Sequence, residues 1–185
     1  MVIPLQKTKL FIPPARETWV NRPRLVSRLD SLRAEGCRAA LVSAPAGSGK
    51  TTITVQWLKR QGIPAGWLSL DERDNLPARF FSYLVAALQG VVPGAGREAQ
   101  VLLDLPGAGP EEIVTLLTND LAETPGQFIL VLDDFYTITN PLLHQTVDFL
   151  IEAQPPQMRL ILLSREDPIL HLARIAGDVD AHATL

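Results

Sequence analysis

The chain has one cysteine, Cys37, three histidines and two tyrosines in 185 residues. A lone cysteine excludes a disulfide within the chain, and His144, His171 and His182 are too scattered to suggest a zinc site. Positive charge is also scarce: Lys and Arg number 17 against 20 Asp and Glu, a net charge of -3. With no basic excess to neutralise a phosphate backbone, direct DNA binding is not expected of these residues. No run reaches the ~18 apolar residues of a membrane span. The start, "MVIPLQKTKLFIPPAR", has no apolar core of signal-peptide length. What is present, 46% hydrophobic and 20% charged residues, suits one domain with a sizeable core. The expectation is a soluble, cytoplasmic protein with no membrane partner.

Prolines 4, 13 and 14 mark residues 1–21 as an extended arm, leaving residues 22–185 as the folded domain. "RPRLVSRLDSLRAEG" places Leu25, Leu29 and Leu32 at helical spacing, with Gly36 as the stop. "CRAALVSA" is a short apolar run fit for a strand covered on both faces. A helix over residues 50–61 ending at Gly62 and a strand at "AGWLSL", 65–70, follow. "LPARFFSYLVAALQG" reads as a helix with Asp74 or Asn75 as its N-cap. Residues 91–110 carry prolines and glycines around the apolar island "VLLDL" and read as loop. "PEEIVTLLTNDLAET" and "PLLHQTVDFLIEA" read as helices, "QFILVLDD" and "MRLILLSR" as the clearest buried strands. Strands alternating with helices imply parallel pairing through right-handed crossovers. The expected class is α/β: a central parallel sheet with helices on both faces.

Between the first of these strands and the helix that follows it lies "LVSAPAGSGKTT", residues 41–52. A small-residue loop between a strand and a helix turns backbone N–H groups inward, and the helix adds the partial positive charge of its N-terminus. Gly47 and Gly49 allow close approach that a β-carbon would obstruct. Lys50 can reach β- and γ-phosphates, and the Thr51 hydroxyl can coordinate Mg²⁺. Ala44, Pro45, Ala46, Gly47, Ser48, Gly49, Lys50, Thr51 and Thr52 are therefore the candidate phosphate cradle. The pattern departs from G-x-x-x-x-G-K-[ST] only in Ala44, which stands at the first glycine position.

A Mg²⁺–nucleotide site also needs a carboxylate facing the metal's water shell, usually from the end of a neighbouring strand. "FILVLDD" offers Asp133 for the metal and Asp134, one residue on, to orient or deprotonate an attacking water. The same pair also reads as a solvated strand end. Arg165, in "LILLSRED", stands where another buried strand should emerge on the same edge. It can contact a γ-phosphate, or pair at the surface with Glu166 or Asp167.

The segments "TKLFIPP", "NRPRLVSRL", "LVSAPAGSGKTT", "WLSLDERDN", "RFFSYLVAAL", "LVLDDFYTI" and "LILLSREDP" occur here in one order. In that order they resemble the ATP-binding region of the large LuxR-type (MalT-like) transcription regulators, a branch of the STAND NTPases, over about residues 7 to 175. The resemblance implies an AAA+-related, three-layer P-loop NTPase fold with Walker A at residues 44–51, Walker B acids at Asp133 and Asp134, and a sensor position at Arg165. It implies ATP or ADP with Mg²⁺ as ligands, self-association promoted by ATP with an inducer, and ATP hydrolysis that returns the protein to rest; hydrolysis by this chain alone is expected to be slow, since it offers no domain to close over the site. It also puts Arg22 and Arg24 near the adenine; on the residues alone they serve equally as a helix cap with exposed charges.

The family usually has His where this chain has Tyr136, and its pattern is lost in "GDVDAHATL". The family's winged-helix, superhelical and helix-turn-helix regions have no room in the ten residues after Ile175. The expectation is thus a fragment, a truncated product or a stand-alone domain. Two rival functions remain. A P-loop kinase for a small acceptor would need an acceptor pocket and usually a basic lid, yet 91–110 offers only Arg97. A scaffold without catalysis would not need the intact Lys50, Thr51, Asp133 and Asp134.

Overall fold

The computed structural model describes residues 4–15, 19–20, 22–33, 37–105, 107–168, 170 and 182–184. Gly36, the expected helix stop, and the stretch 171–181 lie outside them. The strands are β1 (Ala39–Ser43), β2 (Ala65–Ser69), β3 (Phe128–Asp133), β4 (Met158–Ser164) and β5 (His182–Thr184). The helices are α1 (Pro23–Arg28), α2 (Lys50–Gln61), α3 (Pro77–Gln89), α4 (Arg97–Leu103), α5 (Pro110–Ala122) and α6 (Pro141–Ala153). All strand pairings are parallel, in the order β2-β3-β4-β1-β5. The α/β class with a parallel sheet and helices on both faces is borne out.

Strand alternation sorts the core into two layers. Leu41, Leu68, Leu130, Leu132, Leu160 and Leu162 face one way and pack with residues of α3, α5 and α6. Val42, Trp67, Ile129, Val131, Ile161 and Leu163 face the other way, onto residues of α1 and α2. The apolar runs were two-sided, as continuous rather than alternating hydrophobicity requires.

Four local readings change. The helix expected from Arg22 is α1 for six residues and then a 3-10 turn at Leu29–Arg33, which still buries Leu29 and Leu32. The 91–110 loop contains α4, which buries Ala99; its N-terminus is set by Gly96, whose N–H donates to Asp120 Oδ2 at 2.7 Å. Seven helical residues between glycines give too short a period to read locally. Leu76, with Pro77 at the first helical position, precedes α3, so neither Asp74 nor Asn75 is its N-cap. The edge strand β5 was not expected, since "HAT" has no apolar run.

Asp74 has a larger task. It is fully buried and takes Lys9, itself 6% exposed, in an ion pair, while Arg79 Nε donates to its other oxygen at 2.9 Å. Lys9 also lies 4.6 Å from the centre of the Tyr83 ring and 3.2 Å from Asp71. The N-terminal segment, which holds a 3-10 turn at Lys7–Leu10, is thus tied by a buried cation to the turn after β2.

Gly66 in β2 marks a close approach: a β-carbon there would meet the backbone oxygen of Ala87 in α3 at 2.7 Å. Gly66→Ala should force strand and helix apart, destabilising the chain by roughly 1–3 kcal/mol. A urea melt with an unchanged midpoint would refute this packing.

Candidate functional site

The carboxyl ends of four strands meet on one edge of the sheet. Ser43 is in register with Ser164, Leu132 with Leu162, and Ser69 with Asp133. Asp133 was expected on a strand neighbouring β1, but β4 is inserted between β1 and β3. The Ala44 N–H extends the ladder to β4 by donating to Ser164 O at 3.2 Å, and the loop after it sets the start of α2 within reach of β3. The Thr51 hydroxyl consequently lies 3.1 Å from Asp133 Oδ2.

Gly47 and Gly49 have φ of +78° and +97°, and a β-carbon on either would meet no atom within 4 Å. Both need the left-handed region, which glycine adopts without strain, and both face open space. The first intrahelical bond of α2 runs from Ile53 N to Gly49 O, and no side chain caps the helix. The N–H groups of Lys50, Thr51 and Thr52 are therefore left over for an external acceptor, as at any uncapped helix start. Ser48 Oγ is buried without a hydrogen-bond partner. Ala44 is buried against the strand end, so its methyl group is accommodated.

The Lys50 ammonium donates to Ala44 O at 2.6 Å and Pro45 O at 3.1 Å, which leaves one of its three N–H donors. Burial lowers its pKa, Asp134 and Asp133 oppose that shift, and the positive charge of Arg165 adds to it. Four charged groups thus act on one another across this edge. Asp134 follows the end of β3 in a left-handed conformation, φ 56°, and its N–H donates to Asp133 Oδ1 at 2.9 Å. The strand has ended before Asp134, so pleat alternation does not dictate where its carboxylate points.

Arg22, at the start of α1, donates through Nη1 to Ser48 O at 3.1 Å and so touches the loop. Arg24 is exposed, and among the described residues its guanidinium makes no hydrogen bond to the loop. Arg165 makes no ion pair with Glu166 or Asp167; its guanidinium carbon sits 4.4 Å from the centre of the Tyr136 ring. The contacts of two residues escaped the sequence reading. Tyr136 carries Arg165, and Asn75 receives the N–H groups of Thr139 and Asn140 on its Oδ1, at 2.7 and 2.9 Å. No periodicity or spacing announces either contact, because each joins segments far apart in the chain.

Asp133 is buried, and burial raises its pKa to about 6, helped by the adjacent Asp134 charge and opposed by the Thr51 hydroxyl. A carboxyl so placed lacks positive charge. No group of three or more His, Cys, Asp or Glu forms a metal cage among the described residues. One carboxylate and one hydroxyl suit a cation that keeps waters and takes phosphate oxygens, as Mg²⁺ does.

The raised pKa has a sign for stability. The folded chain holds the Asp133 proton more tightly than the unfolded chain does, so this group's contribution falls as pH rises from about 4 to about 6. Asp133→Asn removes that loss. In metal-free buffer at pH 7.5 the variant should be more stable by roughly 2–3 kcal/mol, with the advantage vanishing near pH 4. Urea midpoints that coincide at both pH values would refute the buried-charge account.

No family model matches the chain. It is 39% identical over 176 residues to the HTH-type transcriptional regulator MalT of Cronobacter sakazakii, a match that takes in 95% of this chain. The chain spans 19% of that relative's length. Among solved structures it resembles Cdc6p of Pyrobaculum aerophilum, with a TM-score of 0.61 at 15% identity over 97% of this chain and 49% of that one. The Aeropyrum pernix ORC1 protein, solved in complex with DNA, gives 0.53 at 21% identity over 87% and 43%. These structural likenesses establish an AAA+ type of P-loop ATPase fold, and the regulator likeness supports an ATPase-type regulatory domain. No helix among the described residues is long and apolar enough to cross a membrane. A sequence likeness running almost the whole chain, on a sheet that brings the loop and its acids to one edge, makes this chain a MalT-like P-loop NTPase domain.

Proposed function

We propose that the chain is the switch ATPase domain of a MalT-like transcriptional regulator, binding ATP or ADP with Mg²⁺ and self-associating in the ATP form. The observation that carries this reading is the Thr51–Asp133 contact of 3.1 Å beneath the open Gly47–Gly49 loop at the start of α2. The free N–H groups of the first helical turn and the remaining Lys50 donor would hold phosphate oxygens. Thr51 and Asp133 would hold the metal, whose charge neutralises the carboxylate that burial leaves uncompensated. Arg22 reaches the outer side of the same loop and is the adenine-side candidate; Arg24 does not reach it. Bound Mg-ATP would supply the phosphoryl group and the metal charge. Asp134 is free of the strand pleat and serves to orient or deprotonate water.

The kinase alternative finds no support in the stretch that could have been its lid. Residues 97–103 are helix α4, packed with α5 and α3 in the core layer opposite α2, and Arg97 lies against Gly94. A net charge of -3 supports the further reading that this segment does not itself bind DNA, leaving that task to other parts of a regulator.

Lys50→Ala removes a charge-assisted contact worth roughly 1.5–3 kcal/mol. Calorimetric affinity for Mg-ATP should fall by about one to two orders of magnitude. Equal affinities for wild type and variant would sink the nucleotide reading. Asp134→Asn should leave that affinity within about threefold and abolish most of a slow turnover, because its role is confined to the chemical step. A single-turnover rate equal to the wild type's would remove Asp134 from the reaction. Sedimentation of the wild type with a non-hydrolysable ATP analogue should show larger species than with ADP. Identical profiles would refute nucleotide-dependent self-association.

A further inference from the structure

Tyr136 stands in the site with no assigned task, at a position where the resembling family usually has His. Its backbone is held firmly. It belongs to the 3-10 turn Phe135–Thr137, which follows Asp134 directly and is anchored by the fully buried Phe135. The Thr137 N–H and hydroxyl both donate to Asp134 O, at 3.0 and 2.9 Å. Asn75 Nδ2 donates to Thr137 O at 2.8 Å, and Asn75 Oδ1 takes the next two free N–H groups. The ring therefore projects from a fixed turn. Arg165 is its opposite: exposed, one residue past the end of β4, and with acidic neighbours at 166 and 167 that it does not pair with. Its guanidinium instead lies over the Tyr136 ring at 4.4 Å. Planar guanidinium stacks on aromatic faces in this way, whereas an ammonium is a poorer match. The residue before it, Ser164, accepts the first N–H of the phosphate loop, so Arg165 leaves the sheet between the loop and Asp133.

We propose that Tyr136 is a positioning residue: its ring face presets the Arg165 guanidinium at the phosphate edge, so that a triphosphate is told apart from a diphosphate. The inference rests on the nucleotide-switch reading. The ring, not the hydroxyl, does the work, and the effect passes entirely through Arg165. Without the ring, the guanidinium samples solvent and the acids beside it, and an ordering cost appears whenever it is used. The charge of Arg165 is already felt at Lys50, which fits its place at this edge.

The test is the ratio of affinities for a non-hydrolysable Mg-ATP analogue and for Mg-ADP, measured by calorimetry on the whole chain with melting temperatures recorded alongside. Arg165→Ala should lower the ratio by about tenfold, through the analogue alone. Tyr136→Leu should lower it two- to fivefold, the scale of an exposed cation–π contact, with ADP affinity and melting temperature little changed. Tyr136→Phe should match the wild type. Arg165→Lys, which keeps the charge and the local fold but stacks poorly, should fall with Tyr136→Leu. In the Arg165→Ala background, Tyr136→Leu should change nothing further.

A Tyr136→Phe variant as impaired as Tyr136→Leu overturns the proposal, as does an additive double variant. So does a Tyr136→Leu variant that weakens both nucleotides equally. If Tyr136→Leu fails to fold, Arg165→Lys and Tyr136→Phe decide: a wild-type ratio in Arg165→Lys, or a lowered one in Tyr136→Phe, overturns it. Wild type that binds neither nucleotide sinks the switch reading, and this inference with it. Wild type that binds and discriminates, with a ratio untouched by Arg165→Ala, spares that reading and overturns this inference alone.

Discussion

The candidate site depends on one contact across the sheet, between the Thr51 hydroxyl at the start of α2 and the Asp133 carboxylate at the end of β3. Their strands are not neighbours. β4 lies between β1 and β3; the Ala44 N–H still pairs with Ser164 O at the end of β4, so the loop after it must carry the start of α2 across to β3. Everything chemical at this edge follows from that crossing. It brings a helix N-terminus and a lysine to a buried carboxylate, and it leaves the position after β4, Arg165, between the two. A strand order with β3 beside β1 would put Asp133 under the loop directly and would give Arg165 no such place.

The turn after β3 is tied in turn to a network after β2. Asp74 is buried with Lys9 and Arg79, and the next residue, Asn75, fixes residues 137–140 downstream of Asp133. A buried ion pair is weak evidence of net stability, because desolvation offsets much of its attraction. Its consequence here is geometric: Asp74 without Lys9 and Arg79 would be an uncompensated buried charge, and Lys9 without Asp74 would keep only Asp71 as a partner. The turn after β2 can then adopt only the conformation that satisfies all three.

Much of this was legible in the sequence, for a physical reason. Apolar runs covered on both faces, broken by Gly and Pro and alternating with helical spacing, specify a parallel sheet locally. The loop signature lies in one contiguous stretch, Ala44–Thr52, and the acids follow a five-residue apolar run. The strand order is different: which strand lies beside which is decided by packing between segments dozens of residues apart, and no local period encodes it. The same holds for Asp74, which looks like a helix cap until Lys9, 65 residues away, is seen against it. Tyr136 is a third case, since its partner is 29 residues further on and the two meet only because β3 and β4 pair. Helix α4 was hidden by brevity, its seven residues lying between glycines.

The charges at the edge support the switch role proposed above. Asp133 carries an elevated pKa because it is buried without adequate positive charge, and Lys50 a depressed one because it is buried as well. Lys50 spends two donors on the loop's own carbonyls rather than on either acid. Acids and bases close enough to feel one another therefore remain incompletely neutralised. A ligand that brings both phosphate and cation would satisfy Lys50 and Asp133 together, whereas phosphate alone would add negative charge beside two carboxylates. The arrangement thus favours a metal-bound nucleotide over a bare one. On the switch proposal, affinity would depend on a last phosphate placed among the acids, the lysine and Arg165. On the same proposal, the energy that would distinguish two nucleotide states is held in these incompletely neutralised charges at one sheet edge.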